Sequence, residues 1–285
     1  MISIGQTYDL AVKNFVDFGA YLDAENLGDV LLPNRYTPDG LAVGDRVSVF
    51  LYLDTEDRLI ATTQQPKAKV GEYAYLKVTD TSDFGAFLDW GLDKDVLVPF
   101  AEQHRPFQTG HSYLVYIYIN QADGRIVASS KIDRFVQEQA EQNFRPQQAV
   151  DLIIANSTEL GYKAIINHSH WGVLFKDEVF QRLSFGQSIK GYIKSVRPDG
   201  KINLTLQGGQ ETRDKYSQTI LNYLQQHDGF APVHDKSDPE HIARLFSMSK
   251  KSFKKAIGGL YKARVIIIEK EGIRLAGEQV AEDEG

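Results

Sequence analysis

DFGAYLDAENLGDVLLP, residues Asp17 to Pro33, and DFGAFLDWGLDKDVLVP, residues Asp83 to Pro99, are one pattern written twice. A displacement of 66 positions lays Gly19 on Gly85, Tyr21 on Phe87, Leu22-Asp23 on Leu88-Asp89 and Pro33 on Pro99 without a gap. Working outward, the same displacement pairs Gly5 with Gly71 and Gly44 with Gly110, so the repeat spans a whole folding unit. A second displacement, of 76 positions, carries Gly85 to Gly161, Gly110 to Gly186 and Arg125-Ile126 to Lys201-Ile202, and defines a third, more diverged unit.

Each unit contains short runs of β-branched and aromatic residues, such as Val47 to Tyr52 and Leu114 to Ile119, which read as strands. Asp123-Gly124 and Asp199-Gly200 separate such runs and read as hairpin turns, where glycine reaches positive φ at little cost. About five strands in about 65 residues suit a small closed barrel, a form without open sheet edges. The expected boundaries are 1–66 for the first barrel, 67–134 for the second, 135–146 for a helical linker, 147–209 for the third barrel and 210–285 for a C-terminal domain. The linker reads as a helix because Ile132, Phe135, Val136, Ala140 and Phe144 recur at helical spacing ahead of Pro146.

In the C-terminal domain Tyr216, Ile220, Leu221 and Leu224 stripe one face of a helix over 213–226. Ser237-Asp238-Pro239-Glu240 joins a capping box to a proline suited to the first helical turn. A third helix from about Ser249 would bury Phe253, Ile257 and Leu260, and strands over 264–268 and 272–275 follow. Helix, helix, helix, hairpin is the order of a winged helix. The fold class is therefore mainly β and multidomain, three tandem barrels followed by an α+β winged helix.

The chemistry centres on the repeated string. Residues three apart face opposite ways on an uninterrupted strand, so presenting Phe18 with Tyr21, or Phe84 with Phe87, needs a kink or bulge that Gly19 and Gly85 would permit. Periodicity leaves two places for these rings, the barrel core or an outward face on which unpaired bases stack.

Both of these units resemble the S1 RNA-binding domain, an OB-fold barrel whose hallmark string is close to DFGAF. The resemblance implies an RNA face made by the two rings of the string, a histidine on the next strand, and an aspartate and an arginine near the last hairpin. Phe18 and Tyr21 match in the first unit, with Asp54 and Arg58 at the hairpin, and Phe84, Phe87 and Arg125 match in the second. Pro33 and Pro99 stand at the histidine position, a departure that lowers the expected affinity. In the third unit Leu160 replaces the first ring, leaving Tyr162 and Trp171 as stacking candidates and Lys163 and Lys201 as phosphate contacts. Over its full length the chain resembles the conserved virulence factor B family of bacterial S1-domain proteins. That resemblance implies binding of single-stranded RNA, post-transcriptional control of gene expression tied to virulence, and no catalysis.

Charge qualifies this picture. The formal net charge of -6 argues against a strong nonspecific nucleic-acid binder. Residues 1–66 alone carry 4 basic and 10 acidic side chains, so the deficit belongs to the first unit. Residues 247–268 carry Lys250, Lys251, Lys254, Lys255, Lys262 and Arg264 with no acidic residue, and read either as a solvated helix face or as a ridge that tracks phosphates without reading bases.

Other functions lack their residues. Cysteine is absent, which removes disulfides, thiolate metal sites and thiol nucleophiles and suits the cytoplasm. The N-terminal MISIGQTYDLAV has no signal-peptide pattern, and no run of apolar residues is long enough for a membrane span. His168-Ser169-His170 has no further ligand at metal spacing, and Asp80, Asp83, Asp89, Asp93 and Asp95 fit no calcium loop, so no metal or other cofactor is expected. A transcription regulator reading duplex DNA is a rival, although the third helix offers lysines where arginine, asparagine or glutamine would read bases. A protein-interaction adaptor using the acidic first unit is another. A nuclease is disfavoured because no carboxylates cluster at metal spacing.

Overall fold

The computed structural model describes residues 1–140 and 144–276, the side chains of 209–214 excepted. The chain divides into two compact units, Met1–Val136 and Gln137–Gly285.

In the first unit, β1 (Thr7–Val16), β2 (Gly19–Asp23), β3 (Asp29–Pro33), β4 (Arg46–Leu53) and β5 (Leu59–Thr62) close into a barrel in the order β1-β2-β3-β5-β4. The same closed topology returns with β6 (Tyr73–Ser82), β7 (Gly85–Asp89), β8 (Val96–Pro99), β9 (Ser112–Ile119) and β10 (Ile126–Ser129). Alternation decides which side chains fill each barrel: β2 buries Ala20 and Leu22, and β7 buries Ala86 and Leu88, while Tyr21 and Phe87 point the other way. The uninterrupted apolar run of β4 has a different cause. Val47, Val49 and Leu51 fill the first barrel, whereas Phe50 and Tyr52 join the core of the second, Phe50 meeting Trp90 edge-on at 5.7 Å. The two barrels thus share apolar packing.

In the second unit, β11 (Ala149–Ser157), β12 (Gly161–Ile166), β13 (His170–Phe175), β14 (Ser188–Val196) and β15 (Ile202–Thr205) close a third barrel of the same order. The diverged repeat is therefore a true third copy. All three barrels bulge at one place in their long first strand, between Val12 and Asn14, Val78 and Asp80, and Ile154 and Asn156. The bulge lies on the strand facing the glycine of the motif, and not at the glycine as the sequence suggested. The glycine serves close approach instead: a Cβ would lie 2.2 Å from the Leu32 carbonyl oxygen at Gly19, 2.2 Å from that of Val98 at Gly85 and 2.0 Å from that of Leu174 at Gly161.

The C-terminal domain runs α1 (Gly209–Gln226), β16 (Phe230–Ala231), α2 (Pro239–Phe246), α3 (Lys250–Lys262), β17 (Ile266–Ile268) and β18 (Ile273–Leu275), the strands ordered β16-β18-β17. The two-residue β16 escaped the sequence reading. Asp238 caps α2 by accepting from the Glu240 N–H at 2.8 Å, with Pro239 in the first turn, and Ser249 caps α3 through the Ser252 N–H at 3.0 Å. Phe253, Ile257 and Leu260 are buried against Ile220, Leu224, Ile242 and Phe246.

The expected linker helix is a correction. Ile132–Arg134 makes a single 3-10 turn, and Gln137 then bridges to His170 without helical continuation. Residues 141–143 of the proposed linker and 277–285 at the end of the C-terminal domain lie outside the described residues.

Candidate nucleic-acid interface

The second barrel carries the most complete face. Gly85, at φ +150, brings β7 against the Val98 carbonyl, and the chain just ahead of it swings Phe84 outward, 76% exposed. Phe87 lies half-buried two residues further on, outside the barrel core. Phe100, 53% exposed, adds an aromatic side chain nearby, since its N–H reaches the Phe84 carbonyl at 3.4 Å. Together Phe84 and Phe87 line a groove of about 340 Å³ whose far wall is Tyr52, Leu53 and Asp57 of the first barrel, and whose cations are Lys94 and Arg125. Asp57 is held below the ordinary carboxylate range by its hydrogen bond from Lys94 and by the nearby Arg125 guanidinium.

The first barrel repeats the rings but not the charge. Phe18 is 57% exposed, Phe15 also lies open, and Tyr21 is half-buried outside the core. Arg58 donates to Asp54 at 2.9 and 2.8 Å and pairs with Glu56 at 2.9 Å, so two carboxylates already hold the guanidinium. Burial tends to raise the Asp54 pKa, yet hydrogen bonds from Arg58 and Glu56 outweigh it and leave the group lowered. Arg58 stays 67% exposed, so these pairs are screened by water and the guanidinium remains reachable from solvent.

In the second unit the candidates divide. Leu160, in the place of the first ring, is exposed, but Tyr162 is half-buried against the third barrel's core. Trp171 is buried, with Lys163 over its ring at 3.9 Å. Neither ring forms an open stacking platform, because Tyr162 falls at the inward position held by Ala86 and Trp171 lies within β13, where packing covers it. Lys201 is exposed beside the Arg197–Asp199 pair at 3.1 Å. The lysines of α3 point two ways. Lys250 donates to the Lys236 carbonyl at 3.2 Å and Lys254 lies 3.9 Å from Asp235, whereas Lys251 and Lys255 line a groove of about 430 Å³ with Phe180, Lys194 and Tyr216. Lys262 and Arg264 are exposed at the end of α3, Arg264 in left-handed backbone.

Three of the aspartates weighed as metal ligands have other partners: Asp89 pairs with Lys67, Asp93 with Arg35, and Asp95 accepts from Thr79. His170 is buried beside the Ser169 hydroxyl. Among the described residues no three histidine, aspartate or glutamate side chains form a metal-binding group, and no helix is long and apolar enough to cross a membrane.

Sequence reasoning missed Phe100 and Lys94. The 66-residue displacement sets them on Asn34 and Gly28, so comparison of the repeats gave them no partner.

Three closed five-stranded barrels, followed by a capped three-helix domain with a small sheet, define a multidomain protein built from nucleic-acid-binding modules. The S1 domain model matches residues 4–64 and 70–131, and the CvfB-like winged helix domain model matches 218–275. The chain is 31% identical over 252 residues to conserved virulence factor B of Staphylococcus aureus, covering 83% of this chain and 81% of that one. It is also 30% identical over 274 residues to YitL of Bacillus subtilis, covering 90% and 89%. The chain belongs to the conserved virulence factor B family. A crystal structure of a multidomain protein with nucleic acid binding domains from Streptococcus pneumoniae TIGR4 is 24% identical, with a TM-score of 0.41 over 95% of this chain and 98% of that one.

Proposed function

We propose that the protein binds single-stranded RNA in the bacterial cytoplasm and acts there as a non-catalytic, post-transcriptional regulator of gene expression. The observation that carries the reading is Phe84, a large ring 76% exposed on the rim of a groove that also holds Phe87, Lys94 and Arg125. An exposed ring with a cation beside it suits an unpaired base and its phosphate, because base stacking is tolerant of sequence and cations hold the backbone. A duplex hides its base faces and cannot use such a ring. Bases stack on Phe84 and Phe87 first, then on Phe18 and Tyr21, and the exposed lysines of α3 add backbone contacts. Linked weak sites raise the overall affinity through effective concentration, which lets a chain of net charge -6 hold RNA. Relatives bear the name conserved virulence factor B, which favours a role in expression of virulence functions.

Competition tests the ligand class. Against a labelled single-stranded RNA at one salt concentration, unlabelled single-stranded RNA is expected to compete at least about tenfold better than duplex DNA of equal length, since only unpaired bases reach the rings. Equal or better competition by the duplex would favour a DNA-binding regulator that uses α3.

A further inference from the structure

We propose that Lys94 and Arg125 form a phosphate-binding site in the groove between the first two barrels, and that Asp57 occupies this site until an RNA strand displaces it. The inference rests on the single-stranded RNA reading and names where one phosphate of that strand is held.

Asp57 belongs to the turn between β4 and β5 of the first barrel, yet its carboxylate is bound by the second. Oδ1 accepts from Lys94 Nζ at 3.0 Å and Oδ2 from Arg125 Nη2 at 2.5 Å. Lys94 is steadied by a second hydrogen bond, from Nζ to the Asp54 carbonyl at 2.6 Å. An anion bridging an ammonium and a guanidinium, next to Phe84 and Phe87, stands where the phosphate of a stacked nucleotide would stand.

The backbone sets this position apart from its counterparts in the other two barrels. Asp57 sits in left-handed backbone, φ +60. The corresponding turns of the second and third barrels put glycine there, Gly124 at φ +72 and Gly200 at φ +79, which is the residue this conformation favours. The first barrel keeps a side chain where its repeats have none, and that side chain is the one that reaches the cations.

The contact is built to be displaced. Side-chain exposure of Asp57, Lys94 and Arg125 is 37%, 33% and 55%, so water screens both pairs and their strength is modest. RNA binding then exchanges one anion for another on the same two cations. In the free protein this face shows little net positive charge, which limits its attraction for polyanions that cannot also stack.

Binding of a fluorescein-labelled mixed-sequence single-stranded RNA to the full chain tests this, comparing the parent with Asp57→Asn, Asp39→Asn and Lys94→Gln. Asparagine keeps the size of Asp57 and tolerates left-handed backbone. Asp39→Asn removes one negative charge elsewhere on the same barrel. Asp57→Asn is expected to tighten binding about threefold to tenfold, the scale of two partly exposed ion pairs. Asp39→Asn should leave binding unchanged, and the gain from Asp57→Asn should shrink in the Lys94→Gln background. If Asp57→Asn binds no more tightly than Asp39→Asn, the proposal is wrong, even if its unfolding midpoint falls and Asp57 proves to be a tie between barrels. A parent that binds RNA without that gain overturns this inference alone. A parent that binds no RNA overturns the functional reading as well.

Discussion

Replacing Phe84 and Phe87 together by alanine should weaken binding of single-stranded RNA by at least about tenfold, because each ring that carries a stacked base contributes ~1–3 kcal/mol. Other faces of the chain keep some hold on the strand, so the loss falls short of the sum for two rings. Stability should change little. Phe84 is mostly solvent-exposed and Phe87 lies outside the core of the second barrel, so truncation opens no interior cavity. Titration of labelled RNA, with chemical denaturation as a check on folding, reads both quantities. Unchanged affinity in a folded double variant would remove the rings from the interface.

The second large effect is on folding. Gly85→Ala places a Cβ 2.2 Å from the Val98 carbonyl oxygen, at a backbone φ of +150 that side-chain-bearing residues rarely adopt. The obstacle is main chain, so β7 and β8 must part where they pair, between Gly85 and Pro99. A loss of about 2–4 kcal/mol follows from the combined clash and strain. Gly110→Ala is the matched control. Its φ of +84 is also unfavourable, but no atom lies within 4 Å of the added Cβ, so only the conformational part, about 1 kcal/mol, should appear. Equal losses in the two variants, read from denaturant midpoints, would show that close approach of the strands is not what Gly85 provides.

The architecture was legible because the repeat is explicit and because the turn and cap residues act locally. Ser237-Asp238-Pro239-Glu240 marks a helix start by chemistry that needs no knowledge of the rest of the chain, although the cap is Asp238 and not Ser237, whose hydroxyl accepts from the His234 N–H. The linker misled for the opposite reason. Phe135 stacks on Tyr116 at 4.3 Å in the first unit, while Ala140 and Phe144 pack on the third barrel's core in the second. Apolar residues docked on two separate surfaces imitate the spacing of one helical face.

At the site, the motif rings could be found in the sequence, but their electrostatic setting could not. Arg125 and Asp57 lie 68 residues apart in different barrels, and packing across the boundary, with Phe50 and Tyr52 in the second barrel's core and Tyr36 donating to Asp93, brings their turns together. Trp171 and Tyr162 were drawn in by residue type. The 76-residue displacement held the warning, since it sets Tyr162 on the buried Ala86 and Lys163 on Phe87.

A photo-crosslinking map tests the central claim most directly. Single-stranded RNA containing 4-thiouridine, irradiated in complex with the full chain and digested, should leave its nucleotides on the peptides that carry Phe84, Phe87 and Phe100. Crosslinks confined to other surfaces, with those peptides unmodified in a complex that has formed, would contradict the account.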